Sequence, residues 1–211
     1  MERGRFITFE GGEGCGKSTQ VKFLAEVLEA RGIKVLLTRE PGGTLLSEKI
    51  RTLLREKSED APVDKAELLL FLAARAQLVE KVVAPALAAG TWVVSDRFSD
   101  STFAYQGYGR GLDLGTLRLI NDFATGSLRP DRTVLLDVDP AEALRRRRGR
   151  ELATATEADR IESAGEAFHA RLRAGFLEMA AAEPQRIITV DANGTAEEVK
   201  ERVWNALKPL V

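Results

Sequence analysis

The sequence predicts an α/β protein in which helices flank both faces of an open, doubly wound sheet of five parallel strands. Short β-branched segments alternate with helical segments along the whole chain, which is typical of βα units joined by right-handed crossovers. The second and fourth strand segments are almost continuously apolar, and this indicates strands that are buried on both faces. Ligands of such sheets bind beyond the carboxyl ends of the strands, so we expect the functional site there.

The elements follow one another in a regular order. Strand patterns rich in β-branched residues occur at residues 5–10, 33–38, 91–96, 133–139 and 186–190. Helical patterns occur at residues 18–31, 45–57, 65–89, 114–124, 140–147, 164–182 and 196–207. The predicted ligand edge of the sheet carries polar residues at or near the strand ends, namely Glu10, Arg39, Asp96, Asp137 and Asp191.

Two stretches interrupt this order. Residues 106–111 are glycine-rich, and residues 145–159 combine five arginines with a glycine and a polar alanine–threonine stretch. The second stretch has few apolar groups to anchor it, so it predicts a short mobile lid at approximately residues 145–160. The sequence contains no internal repeat and no long linker, and we therefore expect a single domain over residues 1–211.

Composition and charge limit the classes of function. The 211 residues carry a formal net charge of −1, which gives no overall attraction for nucleic acid or membranes. No apolar run approaches the roughly 20 residues needed to cross a bilayer, and the N-terminus lacks the pattern of a secretory signal. The one cysteine, Cys15, cannot form an intrachain disulfide, which suits a reducing compartment. These features predict a cytoplasmic protein without nucleic-acid or membrane partners.

Residues 11–18, with the sequence GGEGCGKS, match the Walker A pattern of a P-loop between a strand and a helix. Glycines let backbone N–H groups approach phosphate oxygens closely, and the N-terminus of the following helix adds further donors. Lys17 is expected to bridge the β- and γ-phosphates, and Ser18 to hold Mg²⁺. The motif predicts a P-loop NTPase that uses ATP and Mg²⁺. Its nucleotide ligands are Gly11, Gly12, Glu13, Gly14, Cys15, Gly16, Lys17, Ser18 and Thr19.

Residues 96–98 narrow the type of reaction. Asp96 ends a strand near the P-loop, where its carboxylate can reach Mg²⁺ through water, and Arg97 can bind the phosphate of an acceptor. Taken alone, this pair fits a strand-end salt bridge equally well. The sequence lacks the Asn-Lys-x-Asp motif that reads guanine, and its small size and additional arginines favour a monophosphate kinase.

Six segments, in the same order along the chain, resemble the thymidylate kinase family. They are FEGGEGCGKSTQ at 9–20, TREPGGT at 38–44, ELLLFLAAR at 67–75, DRF at 96–98, AYQG at 104–107 and DRIE at 159–162. Phe98 departs from the family pattern, which often has Tyr or His at that position, and residues 102–103 fall in a variable stretch. The resemblance covers nearly the whole chain. It implies phosphoryl transfer from Mg-ATP to dTMP by a homodimer.

The resemblance also assigns residues to the dTMP site. Phe71 is expected to stack on thymine and Arg75 to donate to a carbonyl oxygen of the base, while core packing is the alternative for Phe71. Tyr105 resembles the residue that lies against the sugar, and Glu13 the carboxylate near the sugar 3′-hydroxyl and the metal. The set implied for dTMP is Glu13, Arg39, Arg51, Phe71, Arg75, Arg97, Ser101, Thr102, Tyr105 and Gln106.

Two assignments have a purely structural alternative that fits the sequence about as well. Arg51, a candidate for the acceptor phosphate together with Arg39 and Arg97, fits a solvated helix charge almost as well. Asp191 and Asn193 are expected beside the adenine of ATP, but they also fit a polar turn between strand and helix.

Catalytic positive charge is expected from the lid. Some thymidylate kinases carry an arginine within the P-loop, and this chain has Gly14 at the corresponding position. The resemblance therefore implies that the lid supplies the arginine, from Arg147, Arg148 or Arg150, with Arg160 as a further candidate. The predicted catalytic set comprises Lys17, Glu13, Arg97, Arg147, Arg148 and Arg150. The metal ligands are Ser18 and Asp96.

Three other functions fit parts of this pattern. The chain could be a different nucleoside monophosphate kinase or a deoxynucleoside kinase, which would prefer another acceptor. It could be a nucleotide-dependent switch or binding module without turnover. A nucleic-acid-binding ATPase is the third alternative, since an arginine run can contact phosphates, although the run is short and lacks interleaved aromatic residues.

Overall fold

Five parallel strands form one sheet in the order β2-β3-β1-β4-β5. The strands are β1 (Phe6–Glu10), β2 (Val35–Arg39), β3 (Trp92–Asp96), β4 (Arg132–Asp137) and β5 (Ile187–Asp191). The strands are taken from a computed structural model, which describes residues 3–154 and 165–211. For residues 150–154 it describes the backbone only. The predicted five-stranded parallel sheet is confirmed. Because β1 lies at its centre, the P-loop that follows β1 lies at the middle of the ligand-binding edge.

Helices connect the strands. They are α1 (Lys17–Glu29), α2 (Leu45–Arg55), α3 (Asp64–Leu78), α4 (Ala84–Ala88), α5 (Ser99–Thr102), α6 (Leu114–Thr125), α7 (Pro140–Thr154), α8 (Glu166–Ala182) and α9 (Ala196–Leu207). Two π-helical segments, Val79–Val83 and Phe103–Gly109, continue α3 and α5, and a 3₁₀ turn follows α9 at Lys208–Leu210. No helix in the described ranges is long and apolar enough to span a membrane.

Alternate residues of the central strand pack on opposite faces of the sheet. Ile7 and Phe9 contribute to a core shared with α1 and α9, whereas Phe6 packs on the other face with the segment around Val79 and Val83. A second cluster on this face is formed by Tyr105 and the apolar residues of α8. Both faces of the sheet are therefore covered at its centre, where β1, β3 and β4 are largely buried. The burial predicted for the second strand was wrong, because β2 lies at the edge of the sheet, where its residues are half-buried or exposed and Leu37 is 46% exposed.

The long helix predicted at residues 65–89 is divided in the structure. It ends as α3 at Leu78, widens into π-helical turns and resumes as α4. Pro85 explains the interruption, because proline has no N–H and its ring clashes with the carbonyl of the residue four positions earlier. The π-helical turns accommodate that proline without ending the helical path.

The structure places helix in both stretches that interrupt the sequence pattern, and the mobility predicted for the lid stays a prediction. The helix predicted at residues 140–147 continues as α7 to Thr154, so the described part of the predicted lid is helical. Its alanine, leucine, glutamate and arginine residues favour helix strongly enough to outweigh the roughly 1 kcal/mol cost of Gly149. The glycine-rich stretch at residues 106–111 also begins as helix, because residues 106–109 belong to the π-helical segment that packs on α8.

Candidate active site

The P-loop joins β1 to α1 through backbone that favours glycine. Gly11, Gly14 and Gly16 have φ values of 134°, 79° and 92°, a region that residues with a Cβ rarely adopt. Gly16 caps α1, whose first N–H groups lack intrahelical partners and suit phosphate oxygens. Lys17 is buried, and its ammonium donates to the carbonyl oxygens of Gly11 and Gly12 at 3.0 and 2.8 Å. The cationic group therefore lies against the loop itself.

The remaining P-loop residues differ in their surroundings. Cys15 is buried in the core on the α1 face of the sheet, with its sulfur 3.4 Å from the Lys17 ammonium. Gly12 is half-buried, and Thr19 is exposed on the first turn of α1. Cys15 thus fills space beneath the loop, while the loop's backbone faces outward.

Ser18 and Asp96 meet at the metal side of the loop. The Ser18 hydroxyl donates to an Asp96 carboxylate oxygen at 2.7 Å, which brings the first turn of α1 to the end of β3. Mg²⁺ prefers oxygen ligands and commonly binds one or two protein groups together with phosphates and water. Among residues 3–149 and 165–211, no group of three or more His, Cys, Asp or Glu side chains is arranged to hold a metal. The hydroxyl–carboxylate pair therefore fits a metal ion that shares its ligands with a nucleotide.

Arg97, Glu13 and Tyr105 form a cluster on the acceptor side of the loop. The Arg97 guanidinium donates to a Glu13 carboxylate oxygen at 2.7 Å and to the Tyr105 hydroxyl at 3.0 Å. The Tyr105 hydroxyl donates to the same Glu13 oxygen at 2.6 Å. A further N–H of Arg97 donates to the hydroxyl of Ser101 at 3.0 Å. Four predicted site residues, from three parts of the chain, are thus brought into direct contact.

Electrostatics keep this cluster charged. Burial lowers the pKa of Arg97, but Glu13, Tyr105 and Asp96 together hold it well above its ordinary value. Burial raises the pKa of the Tyr105 phenol well above its ordinary value, so its hydroxyl keeps its proton. Arg97 therefore remains a cation next to the P-loop, as the binding of an acceptor phosphate requires.

Glu10 is a carboxylate beneath this cluster to which the sequence assigned no role. Its side chain is fully buried at the end of β1, and it accepts from the Phe98 N–H at 2.8 Å and the Ser101 hydroxyl at 2.6 Å. Burial, with the nearby Asp100 carboxylate, raises the pKa of Glu10 to about 7. The signal in the sequence was an acidic residue ending an otherwise apolar central strand.

Arg75, which is predicted to donate to the base, is enclosed by protein groups. Arg75 is 2% exposed, and its guanidinium donates to Glu40, Thr102, Asn121 and the Phe98 carbonyl at 2.7 to 3.0 Å. Burial raises the pKa of Glu40, although its ion pair with Arg75 opposes that effect. A base carbonyl would have to share or replace one of these acceptors, so the direct contact predicted for Arg75 stays a prediction.

Phe71 and Gln106 are two further residues of the predicted dTMP site, on neighbouring helical segments. Phe71 is half-buried against Ile50, Leu54 and Ala74, which leaves part of its ring accessible. Gln106 is buried and its amide donates to a Glu67 carboxylate oxygen at 2.8 Å, so as placed its amide binds the protein itself.

Arg39 ends β2 and Arg51 lies within α2, on the two sides of the connecting segment. Arg39 is half exposed and forms a two-point ion pair with Glu48 at 2.9 and 3.0 Å. A hydrogen bond from the Gly43 N–H lowers the pKa of Glu48, and Arg39 lowers it further. Arg51 donates to the carbonyl of Pro41 at 3.1 Å. Both arginines are held near the Arg-Glu-Pro-Gly-Gly segment, and their contact with an acceptor phosphate stays a prediction.

Helix α7 packs directly on the P-loop. A Cβ atom at Gly14 would lie 2.5 Å from the Ala143 carbonyl oxygen and 3.2 Å from the Cγ of Arg147. The Arg147 side chain thus lies above the loop, with one nitrogen 3.5 Å from the ring of His169. Arg148 is exposed on the same helix. The Arg150 side chain and all of Arg160 lie outside the described residues.

The turn after β5 is tied to the start of α7. Asn193 donates to Asp191 through both its backbone and its side-chain amide, and its side-chain oxygen accepts from the Asp139 N–H at 3.1 Å. Arg146 adds bonds to the carbonyls of Ala192 and Gly194 at 3.1 and 3.0 Å. Sequence analysis did not single out Arg146 from its arginine neighbours, because only its long-range partners distinguish it. Asp191 and Asn193 satisfy one another here, as the turn interpretation expects.

Comparisons with known proteins agree with this geometry. The description of the family that matches residues 9–203 is thymidylate kinase. A thymidylate kinase from a Synechococcus strain is 50% identical over 204 residues, 97% of this chain and 94% of that protein. One from Nitratidesulfovibrio vulgaris is 50% identical over 208 residues, with 98% and 97% of the two chains covered. The crystal structure of thymidylate kinase from Ehrlichia chaffeensis has a TM-score of 0.79 at 35% identity and covers 97% of this chain and 99% of that one. This chain belongs to the thymidylate kinase family.

Proposed function

We propose that this protein transfers the γ-phosphoryl group of ATP to dTMP, with Mg²⁺ as metal ion, and so produces dTDP and ADP. The observation that carries the proposal is the meeting of two groups of side chains on one P-loop. Ser18 and Asp96 form the metal side, and the cluster of Arg97, Glu13 and Tyr105 forms the acceptor side. The relatives described above are named thymidylate kinases and match this chain over nearly their full length, which supports this choice of acceptor.

On the donor side, catalysis depends on positioning and charge rather than on covalent chemistry from the protein. The N–H groups of the loop bind the phosphates, and Lys17 exchanges the carbonyls of Gly11 and Gly12 for phosphate oxygens. Ser18 and Asp96 would hold Mg²⁺, which would offset the negative charge of those oxygens.

On the acceptor side, the phosphate of dTMP competes with Glu13 for the Arg97 guanidinium. When Arg97 turns to the phosphate, the Glu13 carboxylate becomes available to accept from the sugar 3′-hydroxyl. Arg39, from the end of β2, and Arg51, from α2, approach the same phosphate. Tyr105 packs beside the sugar, where a ribose 2′-hydroxyl would clash, and Phe71 stacks on thymine.

We assign the catalytic lid arginine first to Arg147, because its stem already contacts the P-loop at Gly14. Arg148 and Arg150 remain candidates that lie farther along the same helix. The lid, residues 145–160, belongs to a single domain over residues 1–211. An arginine of this kind contributes on the order of 10³ or more to the rate of phosphoryl transfer.

We further propose a cytoplasmic homodimer that acts on free nucleotides and not on nucleic acid. Large apolar side chains are exposed on the mutually packed helices α3 and α6, where Leu69, Leu119 and Phe123 are 60%, 75% and 91% exposed. Water contact with three such side chains is unfavourable, and a second copy of the chain would remove it.

Acceptor preference tests the function directly. ADP release should be measured with dTMP, dUMP, UMP, dCMP and thymidine, and dTMP should give the highest kcat/KM. A preference for another nucleotide would identify a different monophosphate kinase, and a preference for thymidine a deoxynucleoside kinase. ATP binding without acceptor-dependent turnover would indicate a binding module, and stimulation by DNA or RNA would indicate a nucleic-acid-dependent ATPase.

A matched pair of lysine variants separates this activity from contamination. Lys17→Met should abolish turnover with every acceptor, because it removes the P-loop ammonium. Lys22→Met, which alters an exposed lysine of the same helix, should leave turnover unchanged. Equal activity in the two variants would show that the measured turnover does not come from this site.

A further inference from the structure

The Glu10 carboxylate makes three hydrogen bonds to one turn of the chain. One oxygen accepts from the backbone N–H groups of Phe98 and Ser101 at 2.8 and 3.3 Å. The other accepts from the Ser101 hydroxyl at 2.6 Å. The side chain is completely buried, so water does not compete for these bonds. Glu10 therefore fixes the backbone and the side chain of the turn between β3 and α5.

Arg97 lies at the start of this turn in a strained conformation. Its φ of 74° is uncommon and energetically unfavourable for a residue other than glycine. The surrounding bonds hold it there, with its N–H donating to the Phe9 carbonyl at 2.9 Å and its carbonyl accepting from the Ser95 hydroxyl at 2.7 Å. Strain of this kind persists where neighbouring structure enforces it, and here it directs the guanidinium towards the P-loop.

Ser101 connects Glu10 to the guanidinium itself. Its hydroxyl donates to Glu10 and accepts from an N–H of Arg97 at 3.0 Å. The Ser101 hydroxyl has a single proton, which it donates in the hydrogen bond to Glu10. Its oxygen therefore keeps a lone pair that accepts from Arg97. The bonds therefore run in one direction, from Arg97 through Ser101 to Glu10.

We propose that Glu10 is a positioning residue that orients Arg97 for the acceptor phosphate by fixing Ser101 and the turn at residues 98–101. This inference rests on the proposed function, since it concerns the arginine that binds dTMP. Glu10 lies under the cluster and acts through Ser101 and the backbone. The charged groups around it are Arg97, at the end of β3, and Asp100, in α5, which pairs with Arg186 at 2.7 Å.

Glutamine should preserve this role and alanine should not. In Glu10→Gln, the amide oxygen can accept from the two backbone N–H groups, and the amide nitrogen can donate to the Ser101 hydroxyl. In Glu10→Ala, all three bonds are lost. Each such bond contributes about 1 kcal/mol, so we expect the KM for dTMP to rise about tenfold or more in Glu10→Ala and about twofold at most in Glu10→Gln.

The test compares the two substrates. KM and kcat should be measured for dTMP and for ATP, and the Kd of dTMP should be measured by calorimetry without ATP. Glu10→Ala should weaken dTMP in both measurements and leave the KM for ATP within about twofold, because the P-loop contacts are unchanged. Ile7→Val, which removes one buried methylene from the same strand, controls for a general loss of stability.

Several outcomes would overturn the inference. An unchanged Kd for dTMP in Glu10→Ala, or equal losses for dTMP and ATP, would show that Glu10 only stabilises the fold. The same holds if Ile7→Val reproduces the pattern, or if glutamine fails to restore dTMP binding. If Glu10→Ala does not fold, Ser101→Ala takes its place, and an unchanged KM for dTMP there contradicts the proposed connection. A wild-type protein that neither binds nor phosphorylates dTMP would refute the proposed function and this inference together.

Discussion

Replacing Glu10 with glutamine should remove a pH-dependent loss of folding stability. The pKa of this carboxyl is about 7 in the folded protein, where burial is the main cause, against 4.5 in its ordinary state. The folded state therefore binds the proton more tightly than the unfolded state does. Stability from this group is greatest below pH 4.5, falls as pH rises, and stops falling above about pH 7.

The magnitude follows from the size of that shift. A shift of one pKa unit corresponds to about 1.4 kcal/mol, so the ionised carboxylate costs the folded state about 3 kcal/mol at alkaline pH. Glu10→Gln cannot ionise and retains acceptors and donors for the same partners. The variant should therefore gain stability relative to wild type, by about 2 to 3 kcal/mol between roughly pH 5 and pH 8.

Urea denaturation of both proteins across this range measures the effect. The quantity of interest is the difference between their free energies of unfolding, in which contributions from titrating groups that do not interact with Glu10 cancel. Glu142→Gln provides a control of opposite sign, because hydrogen bonds from Arg145 and Arg146 lower the pKa of Glu142 to about 2. It should lose stability relative to wild type above pH 4.5. A wild-type-minus-Glu10→Gln difference that stays constant with pH would refute this account of Glu10.

Three further predictions concern other parts of the molecule. Arg147→Ala should lower kcat by about 10³ with little change in the KM for dTMP. The control Arg145→Ala, which removes an exposed arginine paired with Glu142, should leave kcat unchanged, and equal kcat values in the two variants would contradict the assignment of Arg147. Gly14→Ala should cost about 1–2 kcal/mol of stability and increase hydrogen exchange in α7, because the new Cβ meets the Ala143 carbonyl oxygen. Unchanged exchange would show that α7 is not packed as described. Phe123→Asp should convert the proposed dimer to a monomer in light scattering, and an unchanged dimeric mass would place the interface elsewhere.

The sequence was most informative where local pattern determines structure. The P-loop depends on consecutive residues, so its position and the roles expected of Lys17 and Ser18 followed from spacing alone. The parallel sheet followed from apolar strand segments that require cover on both faces. Local pattern also contained the reason for the divided helix, since Pro85 is visible in the sequence, but the widening into π-helical turns depends on packing around it.

Prediction was weakest where a side chain finds partners far along the chain. The contact of Arg75 with a nucleotide base stays a prediction, while its protein partners Glu40, Thr102 and Asn121 could not be predicted from spacing. The role of Gln106 at the substrate likewise stays a prediction, and the bond from its amide to Glu67 on another helix could not be predicted from spacing. Glu10 was noted as a strand-end acid and no more, because its role depends on a turn nearly 90 residues later.

The packing of α7 on Gly14 has a consequence for substitutions at this position. In this chain, an arginine side chain at position 14 and helix α7 as packed would require the same volume, because a Cβ there already meets the Ala143 carbonyl. A substitution to arginine at position 14 is therefore expected to displace the helix that carries Arg147. Moving the positive charge from α7 to the loop of this chain would thus require accompanying changes in α7.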